Sequence, residues 1–96
     1  MTTLRIEHPV NDFATWKRTF DSYAERRQAG GVRQYQISRL VDDANHVLID
    51  LTFDTREAAE AFLAFLRGLW QSAAAGQVLR GTPLVRLAEV AESQQL

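Results

Sequence analysis

Two side chains in this sequence combine base chemistry with apolar surroundings. His8 closes an alternating run in which Leu4, Ile6 and His8 share one side and Arg5 and Glu7 the other. An imidazole titrates near neutrality, so a histidine placed there can accept a proton from a substrate or orient one. Its plainer use is a hydrogen bond to backbone at a strand end. Asp50 stands between Ile49 and Leu51. A carboxylate is costly in such company unless it is paired or meets water. Asp50 is therefore a base in a cavity or, as the simpler reading, a partner of Arg5 or Arg39. Arg39 and Arg86 could hold an anionic or enolate oxygen, or serve as rim charges. Trp16, Tyr35, Phe62 and Trp70, with Phe20, Tyr23 and Phe65, could wall a pocket for an aromatic ligand, although such stripes are more often core. The catalytic candidates are thus His8 and Asp50. The substrate-binding candidates are Trp16, Tyr35, Arg39, Phe62, Trp70 and Arg86.

Other chemistries find no support. Without cysteine the chain has neither disulfides nor thiolate metal sites. Its two histidines, His8 and His46, lie far apart in sequence and give no metal-ligand spacing; His46, in or beside a turn, is expected in solvent. Glycine-rich nucleotide motifs, a P-loop and a nucleophile elbow are all missing, so no cofactor is expected. The formal charge is −1, with eleven basic residues dispersed among acids. Nucleic acid is therefore not an expected partner. The pair Arg26-Arg27 reads as cations complementing a helix end. Apolar runs fall short of the ~20 residues that cross a bilayer, and MTTLRIEHPV lacks the pattern of a secretory signal. No membrane association and a cytoplasmic location are the expectations.

The elements that must position these groups follow from periodicity. Leu4–Val10 alternates as a strand that Pro9 ends or places at an edge. Asn11 or Asp12 caps a helix whose stripe is Phe13, Trp16, Phe20 and Tyr23, stopped by Gly30-Gly31. Val32–Val41 and His46–Phe53 form a hairpin around the polar turn Asp42-Asp43-Ala44-Asn45. Asp54 with Glu57 fits a capping box for a second helix from about Thr55 to Ala75, with Ala59, Phe62, Leu63, Leu66, Leu69 and Trp70 inward. Gly76 and Gly81 break that helix. Pro83 precedes a last strand, Leu84–Val90, and Ala91–Leu96 is a polar tail. At 96 residues and 46% hydrophobic content the chain suits one domain over residues 1–96. The order βαββαβ specifies an α+β, ferredoxin-like arrangement: a four-stranded antiparallel sheet with two helices on one face.

Two helices cover only one sheet face. The other is read as mixed, with Leu40, Leu48, Val85 and Leu87 alternating with Arg5, Glu7, Gln34, Gln36, Ser38, Asp50 and Glu89. A half-apolar face on a small domain calls for a partner. Two sheets packed face to face would close a barrel, so a homodimer through the sheet face is expected.

The segment HPVNDFATWKRTF at His8 to Phe20, the Gly30-Gly31-Val32 break, the Asp42–Asn45 hairpin and VLIDLTFDTREAAEAF ending at Phe62 together resemble the dimeric α+β barrel superfamily. Within it, they resemble the small antibiotic-biosynthesis-monooxygenase-like proteins. The resemblance spans nearly the whole chain, and its motifs are layouts more than chemical signatures. It implies the dimer and a pocket between sheet and helices in each subunit. It also implies a cofactor-independent monooxygenase, or a related cyclase or isomerase, acting on a small aromatic or polyketide-like substrate. The catalytic Asn-Trp-Arg set of the oxygenases and the haem-binding histidine of the haem degraders find no residue-by-residue match here. The competing expectation is a non-enzymatic dimeric protein that binds a small ligand or serves in stress.

Overall fold

A computed structural model describes residues 1–72 and 81–96. The elements are β1 (Thr2–Pro9), α1 (Phe13–Asp21), α2 (Ala24–Ala29), β2 (Val32–Leu40), β3 (Asp43–Phe53), α3 (Arg56–Trp70) and β4 (Leu84–Glu89). The four strands form one antiparallel sheet in the order β2-β3-β1-β4. The expected α+β class and sheet are present.

Register decides which side chains meet the helices. Leu4 pairs with Leu51, Ile6 with Ile49 and His8 with Val47. Side chains directly opposite one another share a face, so these residues make one apolar sheet surface. All six are buried, and Trp16, Ala59, Phe62 and Leu63 close over them from the helices. Burying this cluster is the main stabilising contribution, at roughly 25 cal/mol per Å² of apolar surface.

The local signals mostly act as their chemistry suggests. Asp12 is the cap of α1; its carboxylate accepts from the Thr15 N–H at 2.9 Å. The helical stripe breaks, however, where one continuous helix was expected. The N–H groups of Ser22 and Tyr23 turn back to the carbonyls of Thr19 and Phe20, and the Ser22 hydroxyl donates to Thr19 O at 2.6 Å. Such tight closure and serine back-bonding end a helix, and α2 restarts at Ala24. Past α2, Gly31 takes the left-handed conformation at φ 89°, which favours glycine.

Three boundaries differ from expectation. First, β3 begins at Asp43, so Asp43, Ala44 and Asn45 are strand residues, and a register irregularity between Arg39 and Leu40 absorbs the extra length. Second, Thr55, not Asp54, caps α3; its hydroxyl accepts from Ala58 N–H at 3.1 Å while Asp54 pairs with Arg33 at 3.4 Å. Third, α3 ends at Trp70, ahead of the expected Ala75; Ala73–Ala75 and Gly76 lie outside the described residues.

The largest correction concerns the bare sheet face. Val85 pairs with Ile6, Leu87 with Leu4 and Glu89 with Thr2, which puts all three on the helix side. Leu84, Arg86 and Ala88 face the other way, opposite Glu7, Arg5 and Thr3. The bare face thus takes Leu84, Arg86 and Ala88 in place of Val85, Leu87 and Glu89. It carries Arg5 bonded to Asp50 through two contacts of 2.8 and 3.1 Å, and His46 at 2.8 Å from Glu7. His46 is thus a half-buried strand residue with a carboxylate partner, not a free turn residue. Among the described residues, no helix is long and apolar enough to cross a membrane.

Candidate functional site

Between the apolar sheet face and the helices lies a cavity of about 100 Å³, the order of space a single aromatic ring needs. Its floor is Ile6, His8, Ile49 and Leu51 of the sheet. Trp16 and Phe20 of α1 and Phe62 and Trp70 of α3 form its walls, and Arg27 of α2 borders it.

His8 is 2% exposed and stands edge-on to Trp16, ring centres 6.0 Å apart. Its Nδ1 lies 3.2 Å from the Pro9 carbonyl oxygen. A carbonyl only accepts, so in this bond Nδ1 carries the proton and the neutral ring presents a bare lone pair at Nε2. Burial lowers the His8 pKa from 6.5; the Pro9 bond opposes this and the charge of His46 adds to it. The imidazole is therefore neutral at pH 7. No buried side-chain nitrogen or oxygen among the described residues lacks a partner. Nε2, which has no partner among the described residues, is therefore not sealed off, and His8 lines the cavity.

The backbone that aims His8 is held by Asn45. The Asn45 carbonyl accepts from Val10 N–H at 2.7 Å, and its side-chain oxygen accepts from Phe13 N–H at 2.9 Å. One residue of β3 thereby ties the end of β1 to the first turn of α1. That fixes the His8–Trp16 relation and satisfies a helix-end donor.

The aromatic wall is continuous. Trp16 stacks at 5.2 Å on Phe20, which meets Tyr35 edge-on at 5.1 Å. Phe62 packs at 5.7 Å on Phe53 and 5.5 Å on Phe65. Arg27, read as a cation complementing a helix end, is 7% exposed. Its guanidinium carbon sits 3.8 Å over the Phe20 ring and 5.2 Å from that of Tyr35, and Nη1 donates to the Phe20 carbonyl. Burial lowers its pKa from the usual arginine value, yet a guanidinium remains charged at neutral pH.

The structure thus brings together His8, Trp16, Phe62 and Trp70 at one cavity. Tyr35 stands behind Phe20, outside the lining. Arg39 lies 4.3 Å over the Phe13 ring, also outside it. Asp50 and Arg86 are on the opposite face of the sheet, so neither reaches His8 within one chain. Residue reading missed Arg27 and Asn45. Arg27 extends the helical stripe Trp16, Phe20, Tyr23 by four more residues, a spacing that signalled it despite its charge.

No family model and no curated protein matches this chain. Among solved structures, it is similar to a protein of unknown function from Nitrosomonas europaea, with TM-score 0.75, 14% identity, and coverage of 99% of this chain and 93% of that one. It is also similar to a candidate antibiotic biosynthesis monooxygenase from Deinococcus radiodurans, with TM-score 0.73, 22% identity, and coverage of 100% and 98%. A dimeric ferredoxin-like protein from an uncultured marine organism aligns with TM-score 0.68, 12% identity, and coverage of 97% and 96%. The fold is ferredoxin-like. The ferredoxin-like βαββαβ plan accounts for the placement of His8, because its first strand is central and the loop leaving it feeds the first helix. At these identities the likeness concerns the fold, and the chemistry must come from the cavity itself.

Proposed function

We propose that this chain is an enzyme acting on a small aromatic or polyketide-like substrate, with His8 as general base. The single observation that carries the reading is the neutral His8, its Nδ1 bonded to Pro9 and its ring lining an aromatic-walled cavity. Nε2 would take a proton from an acidic C–H or O–H of the bound ring. The buried site disfavours the imidazolium so formed and returns the proton readily. The resulting carbanion or phenolate is the species that monooxygenation, cyclisation and isomerisation share. Likeness to a candidate antibiotic biosynthesis monooxygenase favours oxygenation.

The test is turnover of a panel of hydroxylated aromatic ketones, followed by oxygen uptake and product mass. His8→Gln should lower turnover by roughly 10²–10⁴, the range for a general base. Undiminished turnover in that variant would remove His8 from the role. A ligand-binding protein without catalysis is the second reading. It is favoured by the isolation of His8 from Asp50, which leaves the base without a carboxylate to orient it.

The reading includes a homodimer through the bare sheet face, supported by the dimeric neighbour and by helices on only one face of the sheet. Sedimentation should then report twice the 10.9 kDa of one chain.

A further inference from the structure

Arg27 is a buried cation with no paired carboxylate; Asp21 acts on its charge only through space. It takes part in no ion pair with a described residue, and no Asp or Glu lines the cavity it borders. Stacking on Phe20 and one bond to the Phe20 carbonyl use one face and one N–H of the guanidinium. A guanidinium has five N–H groups in a planar fork. None of its nitrogens is sealed off without a partner, and the side chain borders both the cavity and the groove beside Gln34. A largely buried charge without a paired carboxylate is unfavourable, and a bound anion would relieve it.

The contacts run in sequence from His8 to Trp16, Phe20 and Arg27. A flat molecule laid along this wall would have a lone pair near one end and a guanidinium toward the other. We infer that Arg27 selects ligands bearing a planar oxyanion, and that the site takes aromatic or arylaliphatic carboxylates with the ring against Trp16 and Phe20. The guanidinium fork matches a carboxylate in two parallel bonds. This deepens the proposed function by naming the substrate class, and it rests on the same cavity.

The chain supplies its own reporter. Its two tryptophans, Trp16 and Trp70, both line the cavity, so intrinsic fluorescence reads occupancy there and not in the shallow groove on the other side of Arg27, beside Gln34. Phenylacetate and its neutral amide, phenylacetamide, are titrated at pH 7.5 and fixed salt. The acid should bind at least about ten-fold more tightly, as a charge-assisted bond implies. In Arg27→Gln the preference should collapse to within about three-fold, and Arg27→Lys should retain part of it. Equal binding of acid and amide by the unaltered protein, or no response to either, would overturn the inference without any variant having to fold. An acid preference that survives Arg27→Gln would also overturn it. His8→Gln separates the two proposals: it should abolish turnover and leave the acid preference in place, so either can fail alone.

Discussion

Replacing Gly30 by alanine tests the packing that shapes the cavity. Gly30 has φ −79°, ordinary for any residue, so the backbone accepts the change. The space does not. A Cβ there would sit 2.6 Å from Cδ1 and 3.1 Å from Cε1 of Phe62, and 3.2 Å from the Arg26 carbonyl oxygen. Van der Waals contact needs close to an ångström more than the first of these. Phe62 is 3% exposed and held by Phe53 and Phe65, so its ring can yield chiefly toward the cavity it lines. Overpacking of this kind costs about 1–3 kcal/mol. Loss of glycine's freedom in the unfolded chain returns about 0.4–1 kcal/mol. The net destabilisation is then about 1–2 kcal/mol, which for a chain of this size lowers Tm by roughly 4–16 °C. Urea unfolding should show a lower midpoint at unchanged slope. The displaced ring should also weaken phenylacetate binding in the fluorescence titration. A Gly30→Ala protein as stable as the parent, with unaltered ligand affinity, would refute the tight Gly30–Phe62 contact and the cavity geometry built on it.

Acidification should destabilise the protein through His8. Its folded pKa lies below 6.5, so between the two values the unfolded chain binds more protons. Stability is then full above 6.5 and falls with pH below it, by at most about 1.4 kcal/mol per pH unit; His8→Gln should flatten the melting-temperature profile in that window. Asp12 acts in a separate, more acidic window: the Thr15 N–H and hydroxyl hold its pKa below 3.8, so its contribution is present above that value and lost as pH falls through the depressed one. Thr55→Ala should cost about 1 kcal/mol as a lost helix cap, whereas Asp54→Ala should cost measurably less in the same urea titration. Breaking the Arg5–Asp50 pair on the bare sheet face with Asp50→Asn should leave phenylacetate affinity at the cavity unchanged, because Asp50 and His8 occupy opposite sheet faces.

The two faces of the sheet explain what sequence could and could not convey. Along one strand, alternation assigns sides without ambiguity, and Leu4, Ile6 and His8 fall together as their spacing predicts. Between strands, the shared side depends on register, which alternation within β4 cannot supply. Val85 and Leu87 therefore went to the wrong face, and Leu84 and Ala88 take their place on the bare side. The same limit governs Asp50. It is an out-facing residue in a strand whose in-facing residues are Val47, Ile49 and Leu51, and pairing with Arg5 is the plain consequence. Charge misled in the opposite direction at Arg27. A cation late in a helix looks like a partner for the helix dipole, but its spacing from Phe20 and Tyr23 carries it inward, and the aromatic faces make burial tolerable. At the helix break the Phe20 carbonyl accepts from both the Tyr23 N–H and Arg27 Nη1. The site is thus built from two polar groups that interrupt apolar stripes at their own periodicity, His8 at period two and Arg27 at the helical repeat. A polar residue in register with a core stripe must be satisfied by the fold or by a ligand. For His8 the fold satisfies Nδ1 and leaves Nε2; for Arg27 it satisfies Nη1 and leaves the rest of the fork. Both side chains border the same cavity, and that coincidence is the strongest physical reason to expect a ligand there.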